Sequence, residues 1–268
     1  MTEIYYRGPI YVHSVSCSTA RPRLSNHISL RTLMKLETLP TCSECGARPG
    51  TLVEVLSHAE MTQVTDAKRC FHFDRHQQLY HAGQFPTGLF CIHSGHVKIC
   101  RELADGTEHI VRIAKPGEVV GYRSLIGGVP YTTSAYALDP ATVCIIPRET
   151  VLRLLETNKS ICLQFISALS DEIEDAETAM VRLARKSVRE RLAETLLILA
   201  EIFGLGSDGQ TIEADLTREE LASIVGTTPE SVMRRLSELR QERSIATDGR
   251  RIRILDKHAL TEAADVHD

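Results

Sequence analysis

The stretch Thr217-Arg-Glu-Glu-Leu-Ala-Ser-Ile-Val-Gly-Thr-Thr-Pro-Glu-Ser-Val-Met-Arg-Arg-Leu236 restricts the fold more than any other part of the chain. Thr217 with Glu220 three residues on has the form of a capping box, so a helix is predicted to open there. Gly226 breaks that helix, and Thr228 followed by Pro229 restarts one, with a hydroxyl at the N-cap and proline at the first helical position. Two helices joined by so short a turn form a helix-turn-helix. On the second helix Val232, Leu236 and Leu239 can face inward. Glu230 and Arg234 sit at i and i+4 near its exposed N-terminal end. A helix-turn-helix that reads DNA needs this arrangement, because N-terminal residues of its second helix reach base edges in the major groove. A plain helical hairpin is the alternative, and it shares only part of the pattern.

The chain that follows supports the same reading. Residues 244–255 alternate Ile252 and Ile254 on one face, with Asp248-Gly249 as the expected turn of a β-hairpin. A hairpin placed after a recognition helix is a wing. Between Pro229 and Arg253 there are seven arginines against four acids, although the whole chain carries a net charge of −4. Positive charge is therefore concentrated where phosphates would lie. An arginine-rich solvated face is the bland alternative.

At 268 residues and 43 % hydrophobic content the chain is long enough for two medium domains. It has no apolar run of about 18 residues that would span a membrane. The first 30 or so residues show no apolar segment of a secretory signal, so a cytoplasmic location is expected. Eight cysteines in such a chain argue against a disulfide framework and for metal or redox chemistry at any clustered pair. No nucleophile–base set, phosphate loop or paired carboxylate motif stands out, so an enzyme is not expected.

Residues 68–147 read as β-rich. Glycines at 83, 95, 106 and 117 punctuate short apolar or alternating segments at 89–93, 97–100, 109–113 and 142–146. Regular turns at that spacing predict an antiparallel sandwich or roll. From Val151 the period changes. Ile166, Leu169, Ile173, Ala176, Met180 and Leu183 recur at alternating three- and four-residue steps, a narrow seam that favours a coiled-coil dimer over packing within one chain. A helix from Ser187 to Phe203, ended by Gly204, leads into the helix-turn-helix. The expected α+β organisation is an N-terminal extension (1–40), a cysteine segment plus antiparallel β-roll (41–150), a dimerisation helix (151–186) and a winged helix-turn-helix (187–268).

A roll, a long dimer helix and a C-terminal winged helix-turn-helix, in that order, resemble the Crp/Fnr superfamily of bacterial transcription regulators over about residues 65–255. The anchors are Ser94-Gly-His-Val-Lys98, Lys115-Pro-Gly-Glu-Val-Val-Gly121, Val143-Cys-Ile-Ile-Pro147 and Glu230-Ser-Val-Met-Arg234. The resemblance implies a homodimer on double-stranded palindromic DNA, with RNA polymerase as a further partner. Glu230 and Arg234 carry over as base readers, while Met233 stands where the family usually has serine. Thr228, Ser231, Arg235, Arg250 and Arg251 are expected at phosphates. Members that bind cyclic nucleotide resemble one another in a Gly-Glu followed by Arg-Ser-Ala, whose arginine pairs with the cyclic phosphate. Gly117-Glu118 is present here, but the later segment reads Thr133-Ser-Ala135. Threonine lacks the bidentate charge, so no cyclic nucleotide is expected.

The cysteines resemble the oxygen-sensing Fnr branch. Cys42 and Cys45 form a C-x₂-C ahead of the roll, and Cys144 stands at the position of the family's distant ligand. In that branch these residues and a third N-terminal cysteine hold a [4Fe–4S] cluster. Thr51 and Val53 occupy the third cysteine's two usual positions. Cys70 is the expected replacement ligand, ahead of Cys17. Cys91, Cys100 and Cys162 read as buried small hydrophobes. The implied function is a regulator responding to oxygen, redox state or nitric oxide. Haem, a small metabolite or thiol oxidation are the alternative effector chemistries, and a metal-holding interaction module that does not bind DNA is the alternative class. Histidines 72, 76, 81, 93 and 96 offer no evident axial pair for haem.

Overall fold

In a computed structural model of the chain, the structure describes residue 42, residues 45–47, 54–103 and 106–265. They belong to one compact unit. Cys17 and the N-terminal extension expected at 1–40 lie outside them. Helix α1 (His58–Ala67) comes first, opened by Ser57 in a capping box with Glu60. Strands β1 (Arg69–Phe73), β2 (Gln78–Tyr80), β3 (Gly88–Ser94), β4 (Val97–Glu102), β5 (Glu108–Ala114) and β6 (Val119–Val120) follow. After a short helix α2 (Tyr122–Gly127) come β7 (Ser134–Ala137) and β8 (Ala141–Pro147). They pair into two four-stranded antiparallel sheets, ordered β1-β8-β3-β6 and β2-β7-β4-β5. Phe73, Phe90, Ile92, Val97 and Val143 fill the space between them. The expected antiparallel roll is present.

The first sheet is covered on both faces. Successive strand residues point to opposite sides, so β3 sends Phe90 and Ile92 inward and Leu89 and Cys91 outward. On the outer face Leu89, Val119 and Ile146 meet Val64 of α1 and Leu154 and Phe165 of the next two helices. Those helices are α3 (Arg148–Thr157) and α4 (Lys159–Arg185). The sequence led us to expect one helix over 151–186, and the structure divides it at Asn158. That residue ends α3 in an extended conformation, and its side chain then accepts from the Ser160 and Ile161 amides to start α4. Asparagine competes with the helical ladder in this way wherever its side chain reaches nearby amides.

Along α4 the seam splits by burial. Ile166, Ile173 and Met180 are 58 %, 61 % and 69 % exposed. Leu169 is half-buried and packs on the core below. Ala176 and Leu183 are exposed, and a Cβ added at Gly226 would meet Leu183 at 3.2 Å. The seam's last position therefore lies beside the helix-turn-helix of its own chain.

Helix α5 (Val188–Phe203), α6 (Arg218–Val225) and α7 (Pro229–Gln241) precede the hairpin β9 (Ile245–Asp248) and β10 (Arg251–Ile254), and α8 (Lys257–Ala263) closes the described chain. Leu192, Leu196, Leu221, Val232, Leu236, Leu239 and Leu260 form their shared core. Full burial of each such side chain stabilises by roughly 1.5–3 kcal/mol. Among the described residues no helix is long and apolar enough to cross a membrane.

Candidate DNA-reading surface and cysteine centre

Thr217 accepts from the Glu220 amide, and the Glu220 carboxylate accepts from the Thr217 amide, which closes the expected box at the start of α6. Gly226 ends that helix at φ 72°, a left-handed conformation that favours glycine. Thr228 caps α7 by accepting from the Ser231 amide at 3.3 Å, with Pro229 at the first turn. Val232, Leu236 and Leu239 are buried beneath it. Thr228, Glu230, Met233 and Arg234 are exposed on the opposite side. The Glu230 carboxyl is held below its usual range by its own backbone amide and by the Thr228 hydroxyl. It is an acceptor at neutral pH, and Arg234 beside it is a donor. Thr228, Glu230, Met233 and Arg234 thus share an exposed face of α7.

The phosphate-facing set is more mixed. Arg235 is bound by Glu238 on its own helix at 2.6 Å. Arg251 is exposed on the wing, and Arg250 lies 3.7 Å from Asp215. The wing turn differs from expectation. Asp248 pairs directly with Arg251, so the two-residue loop is Gly249-Arg250, one position later than the Asp-Gly turn read from sequence. Only Gly249 takes positive φ, at 55°. A loop with glycine first meets that demand at its first central residue, whereas a type I′ Asp-Gly loop requires it at both.

The cysteines converge in a way sequence spacing did not disclose. Cys144 on β8 is the register partner of Cys70 on β1 and of Cys91 on β3. Directly opposed residues of antiparallel strands share a face, so the three thiols form one rung on the helix-covered side of the sheet. Cys70 and Cys144, with Cα atoms 4.0 Å apart, form a disulfide across 74 residues of chain. The sequence argued against a disulfide framework; this single cross-link occupies the sulfurs of both Cys70 and Cys144, two of the four expected ligands. Cys70 occupies the rung but faces Cys144 alone. Cys42, Cys45, Cys91 and Cys144 instead line one cavity of about 50 Å³, walled by Val64, Val119 and Ile146. The Cys42 amide donates to Thr65 at 3.2 Å, and Cys45 Sγ lies 3.2 Å from His93 Nδ1. Burial pushes the Cys91 thiol up to about 12, with Cys42 beside it adding to the shift.

Cys91 packs against the core as the sequence reading expected, and it also lines the cavity with Cys42, Cys45 and Cys144, a placement the sequence reading did not anticipate. Its signal was the strand alternation Leu89–Cys91, which places it opposite Phe90 and Ile92. Cys100 and Cys162 do behave as packed thiols: burial pushes Cys100 up to about 12, and Cys162 donates to the Leu155 carbonyl. The histidines are dispersed among separate partners. His96 pairs with Asp139 at 2.7 Å and His72 with Asp74 at 3.8 Å.

Among the described residues no group of three or more His, Cys, Asp or Glu side chains is spaced to hold a single metal ion. A four-iron cluster spreads its ligand sulfurs wider than one ion does and takes thiolates by preference. The donor set around this apolar cavity fits that chemistry once the Cys144 sulfur is reduced.

Comparison with known proteins gives two matches along the chain. The cyclic nucleotide-binding domain matches residues 70–158, and the Crp-like helix-turn-helix domain matches residues 190–263. The chain belongs to the Crp/Fnr family of transcription regulators. Within that family it is 28 % identical over 235 residues to the transcriptional activator protein anr of Pseudomonas aeruginosa, covering 86 % of this chain and 96 % of that protein. It is 27 % identical to the fumarate and nitrate reduction regulatory protein of Escherichia coli, covering 83 % and 90 %. Among solved structures, FixK2 from Bradyrhizobium japonicum shares the fold with a TM-score of 0.66 at 22 % identity, covering 75 % of this chain and 99 % of that one.

Two further features belong to the sensor half of this Crp/Fnr regulator. A cavity of about 350 Å³ between the roll and α4 is lined by Tyr80, Arg112, Arg123, Thr133 and Glu172 among others. Two of its arginines are already engaged: Arg112 pairs with Glu118 and Glu172, and Arg123 with Glu172. The second feature is a docking contact. Buried Glu220 of α6 receives Lys98 of β4 at 3.0 Å and Arg75 at 3.2 Å. Ser223 donates to the Glu108 carbonyl at 2.8 Å and accepts from the Ile110 amide at 2.7 Å. Burial pushes the Glu220 carboxyl up, but the Thr217 amide, Lys98 and Arg75 outweigh it and hold the group below its usual value.

Proposed function

We propose that this DNA-binding regulator works as a homodimer on palindromic sites and answers to oxygen, redox state or nitric oxide through a cysteine-bound [4Fe–4S] cluster. The observation that carries the reading is the approach of Cys42 and Cys45 to Cys144 at one apolar cavity. When bound there, a cluster supplies an oxygen-labile crosslink between the segment before α1 and the roll. Cys42 and Cys45 hold that segment. Cys144 belongs to β8, which runs through Pro147 directly into α3 and α4. Ligation by these residues therefore ties the segment to the strand that feeds the dimer helix, and its loss shifts the balance of arrangements available to α4. The similarity to the Pseudomonas aeruginosa and Escherichia coli regulators supports the same branch.

On DNA, Glu230 accepts from a cytosine amino group and Arg234 donates to a guanine O6/N7 pair. Thr228, Ser231, Arg235, Arg250 and Arg251 hold phosphates. Half-site centres fall about one helical turn apart. The exposed α7 face argues against an interaction module that does not bind DNA. RNA polymerase is the expected partner at promoters.

The test is an anaerobic visible spectrum with iron and sulfide analysis, beside gel-shift selection on random sites before and after air exposure. Iron at cluster stoichiometry and an air-sensitive shift support the reading. Anaerobic protein without iron ends it, and attention then moves to the 350 Å³ cavity, which favours a small polar metabolite as the second reading.

A further inference from the structure

A [4Fe–4S] cluster normally takes four thiolates, and the C-x₂-C with Cys144 supplies three. The neighbours of Cys144 on its rung are Cys70 and Cys91, one on each side. They are not equivalent. Cys91 lines the cavity together with Cys42, Cys45 and Cys144. Cys70 is not among the residues lining that cavity, and the disulfide it shares with Cys144 occupies both sulfurs. The alternation of β3 fixes Cys91 toward the α1 side, where Cys42 is held by Thr65.

We propose that Cys91 is the missing ligand, so that the set is Cys42, Cys45, Cys91 and Cys144, and that Cys70 competes with the cluster for the Cys144 sulfur. This rests on the iron–sulfur reading and deepens it. A sulfur bound to Cys70 is not a thiolate, so the disulfide form and the loaded form exclude one another. Passage from one to the other needs a dithiol reductant. The reductant delivers two electrons and two protons, the S–S bond breaks into the Cys70 and Cys144 thiols, and the reductant closes to its own disulfide. The Cys144 thiol then gives up its proton on ligation, as the other three do. Cys70 remains a thiol beside the loaded site; when oxygen opens the ligand set, the same oxidant can take two electrons and two protons from the Cys70 and Cys144 thiols, and the S–S bond re-forms.

The experiment is anaerobic reconstitution of the full chain with ferrous iron and sulfide, with and without dithiothreitol. It compares wild type with Cys91→Ser, Cys91→Ala, Cys70→Ser and Cys100→Ser, reading iron, sulfide and visible absorbance. Wild type loads only with dithiothreitol. Both Cys91 variants lose at least five-sixths of the iron and absorbance, while thermal unfolding of the iron-free proteins shows them folded. Cys70→Ser loads fully and without dithiothreitol, and Cys100→Ser behaves as wild type. A folded Cys91 variant that keeps its cluster overturns the assignment, as does a Cys70 variant that loses it. Wild type that takes no iron under reduction removes the iron–sulfur reading itself and the assignment with it.

Discussion

Glu230 and Arg234 face solvent four residues apart at the start of α7, and neither has a partner in the hydrophobic core. Their cost on removal is thus expected to appear in DNA binding and not in folding. Arg234→Ala should lose about 1–3 kcal/mol against its own base pair and become indifferent to that base. Arg250, on the wing turn, should behave otherwise: Arg250→Ala weakens all sequences alike and lowers the salt slope by about one. Titrations of each variant across operator substitutions and salt concentrations separate the two roles, and equal losses that ignore sequence would contradict them. Thr228 belongs to both concerns, since it caps α7. Thr228→Ala should lower unfolding stability by about 0.5–2 kcal/mol in chemical denaturation without DNA. These residues were legible because a capping hydroxyl, a proline and an i, i+4 pair are local signals. The place of Cys91 at the cavity was not. Its meaning depends on Cys144, which only strand pairing brings opposite it, and a cysteine inside an apolar strand reads as core until its neighbours across the sheet are known.

At the scale of elements, the strands near 89–93, 97–100, 109–113 and 142–146 and the helix-turn-helix were legible from period and punctuation. The short strands β2 and β6 carry too few residues to show a period. Helix α1 had a visible capping box in Ser57 and Glu60, but it lies in a segment dominated by the cysteine motif. The break at Asn158 is a tertiary choice: its side-chain amide donates to Glu60 of α1 at 3.0 Å, so one residue ends a helix through its backbone, starts another through its side chain and ties both to a third. Helix α4 leaves Ile166, Ile173 and Met180 uncovered, a stripe that single-chain packing does not explain. Asp171, Glu174, Asp175 and Glu177 flank it, while Glu172 is paired with Arg112 and Arg123. Like charges beside a seam oppose association by a few tenths of a kcal/mol per solvated pair, so a marginal dimer is expected. Ile173→Glu should sediment as a monomer. An unchanged dimer would place the interface elsewhere.

For the whole molecule, the contact of Glu220 with Lys98 and Arg75 joins the DNA-binding half to the roll. Its carboxyl titrates below the ordinary 4.5 in the folded chain and returns to it on unfolding. The unfolded state therefore binds more protons around pH 4, and stability rises with pH through that window and is lost as pH falls through the folded value. Urea unfolding from pH 6 down to pH 3 should show this slope, and Glu220→Gln should flatten it. Lys98→Ala should cost about 2 kcal/mol, less than a fully orphaned buried charge because Arg75 remains. The same contact has a consequence for how the molecule can be read from outside. Binding free energies at two coupled sites are reciprocal. If an operator prefers the two halves apart, the roll must feel the operator by the same factor that the operator feels the roll. A promoter would then do more than report the state of the cysteine centre: by occupying α7 it would change how readily that centre is gained or lost, and promoters of different strength would set different thresholds for one signal.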